Sequence, residues 1–180
     1  MKHHIVVIIC CCFLYSQVEE NIAKDADYDS CNLGIRFLSE GNYEKAIESF
    51  KKCIDAFPNN ADAYRELGNV YKYKGNYSES IGFYEKSIFL NPKSSEVYHM
   101  LGTVYHDQGN YNKAIPLYEK SIELNPQSSD SYFNLAMIYH NSDFRKAIHF
   151  YKKSAELGNL QVKRWLMNSS GLELDNIIGN

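Results

Sequence analysis

The chain has 180 residues, more than one compact domain needs and fewer than two, which sets the expectation of a single folding unit with trimmings. Apolar residues make up 44% and charged residues 23%, as in a soluble globular chain, but 15 Tyr and 9 Phe beside a single Trp require a recurring structural cause. The net charge of −3, with no run of Lys or Arg, argues against a strip of phosphate contacts and so against nucleic-acid binding. Four Pro and 10 Gly are spread along the chain and punctuate short helices; they do not cluster into a linker.

The first element, residues 1–16, has the shape of a secretory signal peptide. Lys2, His3 and His4 precede the apolar run Ile5 to Leu14, with Tyr15, Ser16, Gln17 and then Glu19 and Glu20 beyond it. The run is about half of what a membrane-crossing helix needs, so cleavage near Ser16 is expected, with an uncleaved membrane anchor as the alternative. Cys10, Cys11 and Cys12 fall inside this segment and resemble a bacterial lipoprotein signal only loosely. Residues 17–26 read as a linker. The expected location is the secretory lumen or outside the cell, or the periplasm of a bacterium.

From residue 27 one phrase recurs every 34 residues, beginning at 27, 61, 95 and 129. Leu33-Gly34, Leu67-Gly68, Leu101-Gly102 and Leu135-Ala136 fall in register, each followed by an aromatic residue: Phe37, Tyr71, Tyr105 and Tyr139. Gly41-Asn42-Tyr43, Gly75-Asn76-Tyr77 and Gly109-Asn110-Tyr111 end a first helix and open a second. The second carries Ala46, Ser80 or Ala114, then Phe50, Tyr84 or Tyr118, and the unit closes at Pro58, Pro92 or Pro126. Residues before Pro are steered out of helical geometry, so the second helix stops there. Small residues on both helices permit close approach and rings fill what is left, which makes the Tyr excess architectural.

This pattern resembles the tetratricopeptide repeat family over about three quarters of the chain. The resemblance implies an all-α, right-handed α-solenoid of four stacked helix-turn-helix repeats, over 27–60, 61–94, 95–128 and 129–159. Repeat 1 has Ser30 where its siblings have Tyr, as suits an end unit. Repeat 4 lacks the turn Gly, is one residue shorter at Ser142-Asp143-Phe144, and ends in Ala155-Glu156-Leu157-Gly158-Asn159, similar to Sel-type repeats. Residues 160–168, with Trp165 and Leu166, suit a short capping helix, and 169–180 a flexible tail.

The resemblance also implies a function: binding a partner peptide or helix in a concave groove lined by first helices, as a scaffold and not an enzyme. Carried onto this chain, the groove positions are Asp62, Arg65, Glu66, Asn69, Lys72 and Tyr73 in repeat 2. Repeat 3 adds Glu96, His99, Met100, Thr103, His106 and Asp107, and repeat 4 adds Phe133, Asn134 and His140. One subfamily grips the C-terminal carboxylate of chaperones with Lys and Arg. Its positions fall here on Cys31, Ile35, Glu66, Glu96 and Met100, or one repeat on at Arg65, Asn69, Met100, Asp130 and Asn134, a poor chemical match. The alternative is an accessory subunit, substrate-recruiting or chaperone-like, of a complex such as a glycosyltransferase. No catalytic motif, cofactor, metal or small-molecule substrate is expected: His99 and His106 share a face without the accompanying donors a zinc site wants. Cys31 and Cys53 lie at neighbouring ends of one hairpin, either bonded or with Cys53 as a small buried residue like Ser87, Ser121 and Ser154. Asn76 and Asn168 begin glycosylation sequons, Asn76 otherwise being an ordinary turn residue.

Overall fold

The computed structural model describes residues 29–169. The expected leader, the linker and the tail beyond 169 lie outside the described residues. A first helix, α1, occupies 29–39. It is followed by α2 (Tyr43–Ala56), α3 (Ala61–Tyr73), α4 (Tyr77–Leu90), α5 (Ser95–Asp107), α6 (Tyr111–Leu124), α7 (Ser129–Tyr139), α8 (Phe144–Glu156) and α9 (Leu160–Ser169). Among the described residues there is no strand, and no helix is long and apolar enough to cross a membrane. The capping helix reaches Ser169, one residue past the expected 168.

The punctuation acts through local chemistry. Gly41, Gly75 and Gly109 have φ of 73°, 76° and 71°, a left-handed conformation that ends α1, α3 and α5. The next residue then caps the following helix: the Asn42 side chain accepts from the Lys45 N–H and Asn110 from Lys113. Asn76 holds the same place before α4 but makes no such bond. In repeat 4 the shortened turn closes with no positive φ, and Asp143 caps α8 by accepting from Lys146. Asn91 and Asn125, each before Pro, end α4 and α6 with their N–H on the carbonyls of Ser87 and Ser121, both at 2.8 Å.

Each of the first three hairpins closes on one contact between a ring and a missing side chain. A Cβ added at Gly34 would stand 2.6 Å from Phe50, one at Gly68 2.5 Å from Tyr84, and one at Gly102 2.9 Å from Tyr118. Ala46, Ser80, Ala114 and Ala147 are completely buried on the opposing helices. The Ser80 hydroxyl donates to the Gly68 carbonyl at 2.8 Å, which satisfies its buried polar atom. Consecutive helices pack in series and α3 also touches α5, so the core is a chain of four linked clusters. Fully buried Leu67, Val70, Val97, Val104 and Leu135 join one repeat to the next, each worth about 1.5 to 3 kcal/mol.

At the first hairpin, Cys31 and Cys53 form a disulfide, with Cα atoms 5.1 Å apart. Helix axes normally pack at 8 to 10 Å; here Cys31 and Cys53 both turn into the seam, so the Cα atoms approach more closely than the axes. Cys53 is also fully buried in the place of Ser87, Ser121 and Ser154, so the packing and bonding readings coincide in one residue. Asn60, which caps α3 by accepting from the Ala63 N–H, sets its amide 3.6 Å from the Cys53 sulfur.

Candidate functional site: the first-helix groove

The first helices α1, α3, α5 and α7 form one face, the concave one in stacked hairpins. On α3, Arg65 gathers the acids around it: Asp62 at 2.7 Å, Glu66 at 2.7 Å and, across the repeat boundary, Glu96 at 3.4 Å. Burial works against the guanidinium charge, but the Glu66 hydrogen bond and the three carboxylates outweigh it and raise the pKa. Glu66 also accepts from the Asn69 amide at 3.0 Å. Tyr73 is exposed and stacks on Tyr43 with centroids 6.2 Å apart. Lys72 is half-buried beside it.

A second pattern lies beneath the groove. The Tyr84 hydroxyl donates to Asn69 Oδ1 at 2.6 Å, Tyr118 donates to Thr103 Oγ1 at 3.4 Å, and Tyr151 donates to Met137 Sδ at 3.3 Å. Asn69, Thr103 and Met137 are 34 residues apart, so each core tyrosine reaches the same groove position from below. Phe50 has no hydroxyl, and its counterpart is Ile35, which needs none. The core tyrosine hydroxyls therefore find side-chain partners on the first helices. Burial pushes the Tyr118 phenol up to about 12 and Tyr84 higher still, so both remain donors.

Of the groove histidines, His99 has Nδ1 2.9 Å from the Ser131 hydroxyl and its ring tilted on Tyr118, while His106 meets Tyr111 and Tyr118 edge-on. Met100 packs into the core cluster of repeat 3. Among the described residues no three His, Cys, Asp or Glu side chains converge as metal ligands do.

At the C-terminal end of the first-helix face, the expected Phe133 and His140 come together with Met137, Tyr151, Gln161, Val162 and Trp165, which were not among the expected positions. There Phe133, Met137 and His140 of α7, Tyr151 of α8, and Gln161, Val162 and Trp165 of α9 enclose a pocket of about 260 Å³. Tyr151 and Trp165 have centroids 5.1 Å apart, and His140 lies edge-on to Tyr151 at 5.9 Å with its Nδ1 3.3 Å from the tyrosine hydroxyl. The missed signal was register. Asn159 caps α9 by accepting from the Val162 N–H, as Asn60 caps α3. Val162 then matches buried Ala63, Val97 and Ser131, and Leu166 matches Leu67, Leu101 and Leu135. So α9 has the register of a first helix, and Trp165 stands at the position held by Glu66, Met100 and Asn134.

Among the described residues, nine helices in repeated hairpins, with the first helices on one face, define an α-solenoid. TPR repeat models match residues 34–75, 68–109 and 102–143, and a Sel1 repeat model matches 129–159. The chain belongs to the tetratricopeptide repeat family, its last repeat of the Sel1 kind. A crystal structure of MamA is similar, with a TM-score of 0.69 and 29% identity over 76% of this chain and 81% of that one. A crystal structure of YrrB, described as a TPR protein with an unusual peptide-binding site, has a TM-score of 0.62 and 25% identity, covering 72% of this chain and 67% of that one. No curated protein sequence matches the chain at a significant level.

Proposed function

We propose that this chain is a protein-interaction scaffold that docks a partner peptide or helix in the groove of its first helices and carries out no reaction itself. The observation that carries the reading is that the groove is held from beneath and from the sides. Tyr84 and Tyr118 fix Asn69 and Thr103, and Arg65 fixes Asp62, Glu66 and Glu96 across a repeat boundary. Side chains already ordered lose less freedom when a partner arrives. The likeness to YrrB supports a peptide as the kind of ligand.

Arg65 and Asn69 are poor probes of this groove, because replacing them would unmake its internal network. Photo-crosslinking residues at Lys72 and Asp107, with controls at Glu85 and Glu119 on exposed faces of α4 and α6, test it cleanly. In extract of the producing organism, one partner should be trapped from the groove positions and displaced by excess unmodified chain. Trapping from the α4 and α6 positions alone would overturn the assignment. If the trapped partner is an enzyme such as a glycosyltransferase, the accessory-subunit reading, recruiting or chaperone-like, takes precedence.

The place of action that fits this reading is a secretory or extracytoplasmic lumen, with residues 1–16 as a removed leader or as a membrane anchor. The Cys31–Cys53 bond supports it, since structural disulfides persist in oxidising compartments. In a glycosylating host, Asn76 is the favoured acceptor: it is exposed, and its side chain is not engaged in capping α4. Asn168 lies within α9. Deglycosylation of the natively secreted chain should lower its mass, and Asn76→Gln should abolish that change; an unchanged mass would reject the modification.

A further inference from the structure

We propose that the groove recognises a basic extended segment that seats one bulky apolar side chain, aromatic or leucine-like, in the pocket between α7 and α9. This rests on the groove reading above and adds a ligand chemistry to it. The pocket's size sets the anchor. At about 260 Å³ it falls below the 300 to 1,000 Å³ of ordinary small-molecule sites and above the roughly 150 Å³ that accepts a benzene, so it takes a single large side chain.

Its chemistry sets the kind of anchor. The walls are the rings of Phe133, His140, Tyr151 and Trp165 with the Met137 thioether, and no charged side chain lines it. Met137 and Trp165 in its lining are 47% and 38% exposed, so apolar surface is open to a partner there. Tyr151 is 5% exposed and its hydroxyl is engaged with Met137 and His140, so what the floor offers is ring surface.

Charge sets the rest of the segment. The groove positions carry five carboxylates, Asp62, Glu66, Glu96, Asp107 and Asp130, against Arg65 and Lys72, with Arg164 of α9 in the same register at the far wall. Arg65 is already surrounded by three of the acids. Among the described residues no ion pair engages Asp107 or Asp130, both exposed, the first on α5 and the second on α7, a wall of the pocket. The groove therefore repels acidic chains and draws basic ones. Residues 170–180 carry Glu173 and Asp175 and no base, so charge sets the chain's own tail against this groove. Neighbouring first helices lie about 8 to 10 Å apart, and an extended chain advances about 3.3 Å per residue. Basic residues about three and six positions from the anchor would thus reach α5 and α3.

The test uses the full chain and labelled peptides of about twelve residues. Each has one Trp and Lys at the third, fourth, sixth and seventh positions from it, built in both chain directions. Fluorescence anisotropy should show saturable binding of one direction, weakened about thirtyfold by Trp→Ala in the peptide and at least tenfold by Lys→Glu. In the protein, Trp165→Ala and the plugging variant Gln161→Trp should each abolish the anchor's contribution. Asp107→Asn with Asp130→Asn should weaken binding and flatten its salt dependence. Gln161 is exposed, so its replacement spares the fold where Trp165→Ala does not. Equal affinity for the Ala peptide removes the pocket from recognition, and equal affinity for the Glu peptide removes the charge; either result overturns the proposal, as does no binding up to about 1 mM. Binding seen only in a chain ending at residue 169 would assign the pocket to the tail and overturn it too. Groove crosslinking to a partner that lacks such a segment would leave the scaffold reading standing and this one refuted.

Discussion

Gly68 and Gly102 occupy the same place in successive repeats, yet they differ in tolerance. A Cβ at Gly68 meets the Tyr84 ring at 2.5 Å, against 2.9 Å to Tyr118 at Gly102, and repeat 4 already carries Ala136 at this position. Gly68→Ala should therefore cost more than Gly102→Ala, with about 1 to 3 kcal/mol for the first, the cost of overpacking a tight core. Denaturant unfolding of the two variants checks the order, and a reversed order would refute the ring contact as the cause. His99 gives a second prediction. Burial is the main force lowering its pKa, with Asp130 pulling it up and Lys72 down. The unfolded chain thus binds the proton more readily, so the neutral form's contribution is complete above about pH 6.5 and is lost as pH falls from there toward the folded value. His99→Gln should remove that part of the pH dependence below about pH 6.5, seen as a flatter midpoint-against-pH curve than the parent's.

At the scale of elements, the second helices tolerate residues that weaken helices because one of their faces is open. Glu48, Gly82, Pro116 and His149 share an exposed register, and an added Cβ at Gly82 meets nothing within 4 Å. Gly82→Ala should stabilise the chain by about 0.5 to 1 kcal/mol through a less flexible unfolded state and better helix propensity. A thermal midpoint that fails to rise would mean α4 gains something from Gly82 that its surroundings do not display. Pro116 sits inside α6 without breaking it, because it stands on this open side and the flanking turns are held by Ala114 and Tyr118 in the core.

For the whole molecule, stability in a stacked array is a sum of unit and neighbour terms, so the terminal repeats are the first to open. The Cys31–Cys53 bond spans a sequence separation of 22 in the first unit, and in the chain-entropy model such a loop contributes about 3 kcal/mol. The non-reduced mature chain should show no free thiol from either cysteine after unfolding. Reduction should speed amide exchange in α1 and α2 while leaving α5 and α6 nearly unchanged. Two free thiols would eliminate the bond, and exchange that quickens uniformly would contradict a local staple. At the other end α9 performs the corresponding service by covering repeat 4 with Val162 and Leu166, at the cost of leaving the Trp165 pocket open toward the groove.

The 34-residue period by itself determined the solenoid and its core, because Gly, Pro, Asn and ring positions act locally and repeat their action from unit to unit. Gly41, Gly75 and Gly109 stop helices wherever they stand, and a ring opposite a glycine defines a hairpin without help from distant residues. The expected groove positions rest on the same periodicity, as a register. Their state does not. That Arg65 is committed to Glu96 and Asn69 to Tyr84 depends on contacts between elements 31 and 15 residues apart, which a periodic pattern does not specify. The pocket is a stronger case: Tyr151, Met137 and Trp165 meet because repeat 4 is shortened and α9 packs against it in the register of a first helix. A cavity is the space that packing leaves unfilled, and tertiary structure alone decides where that space falls.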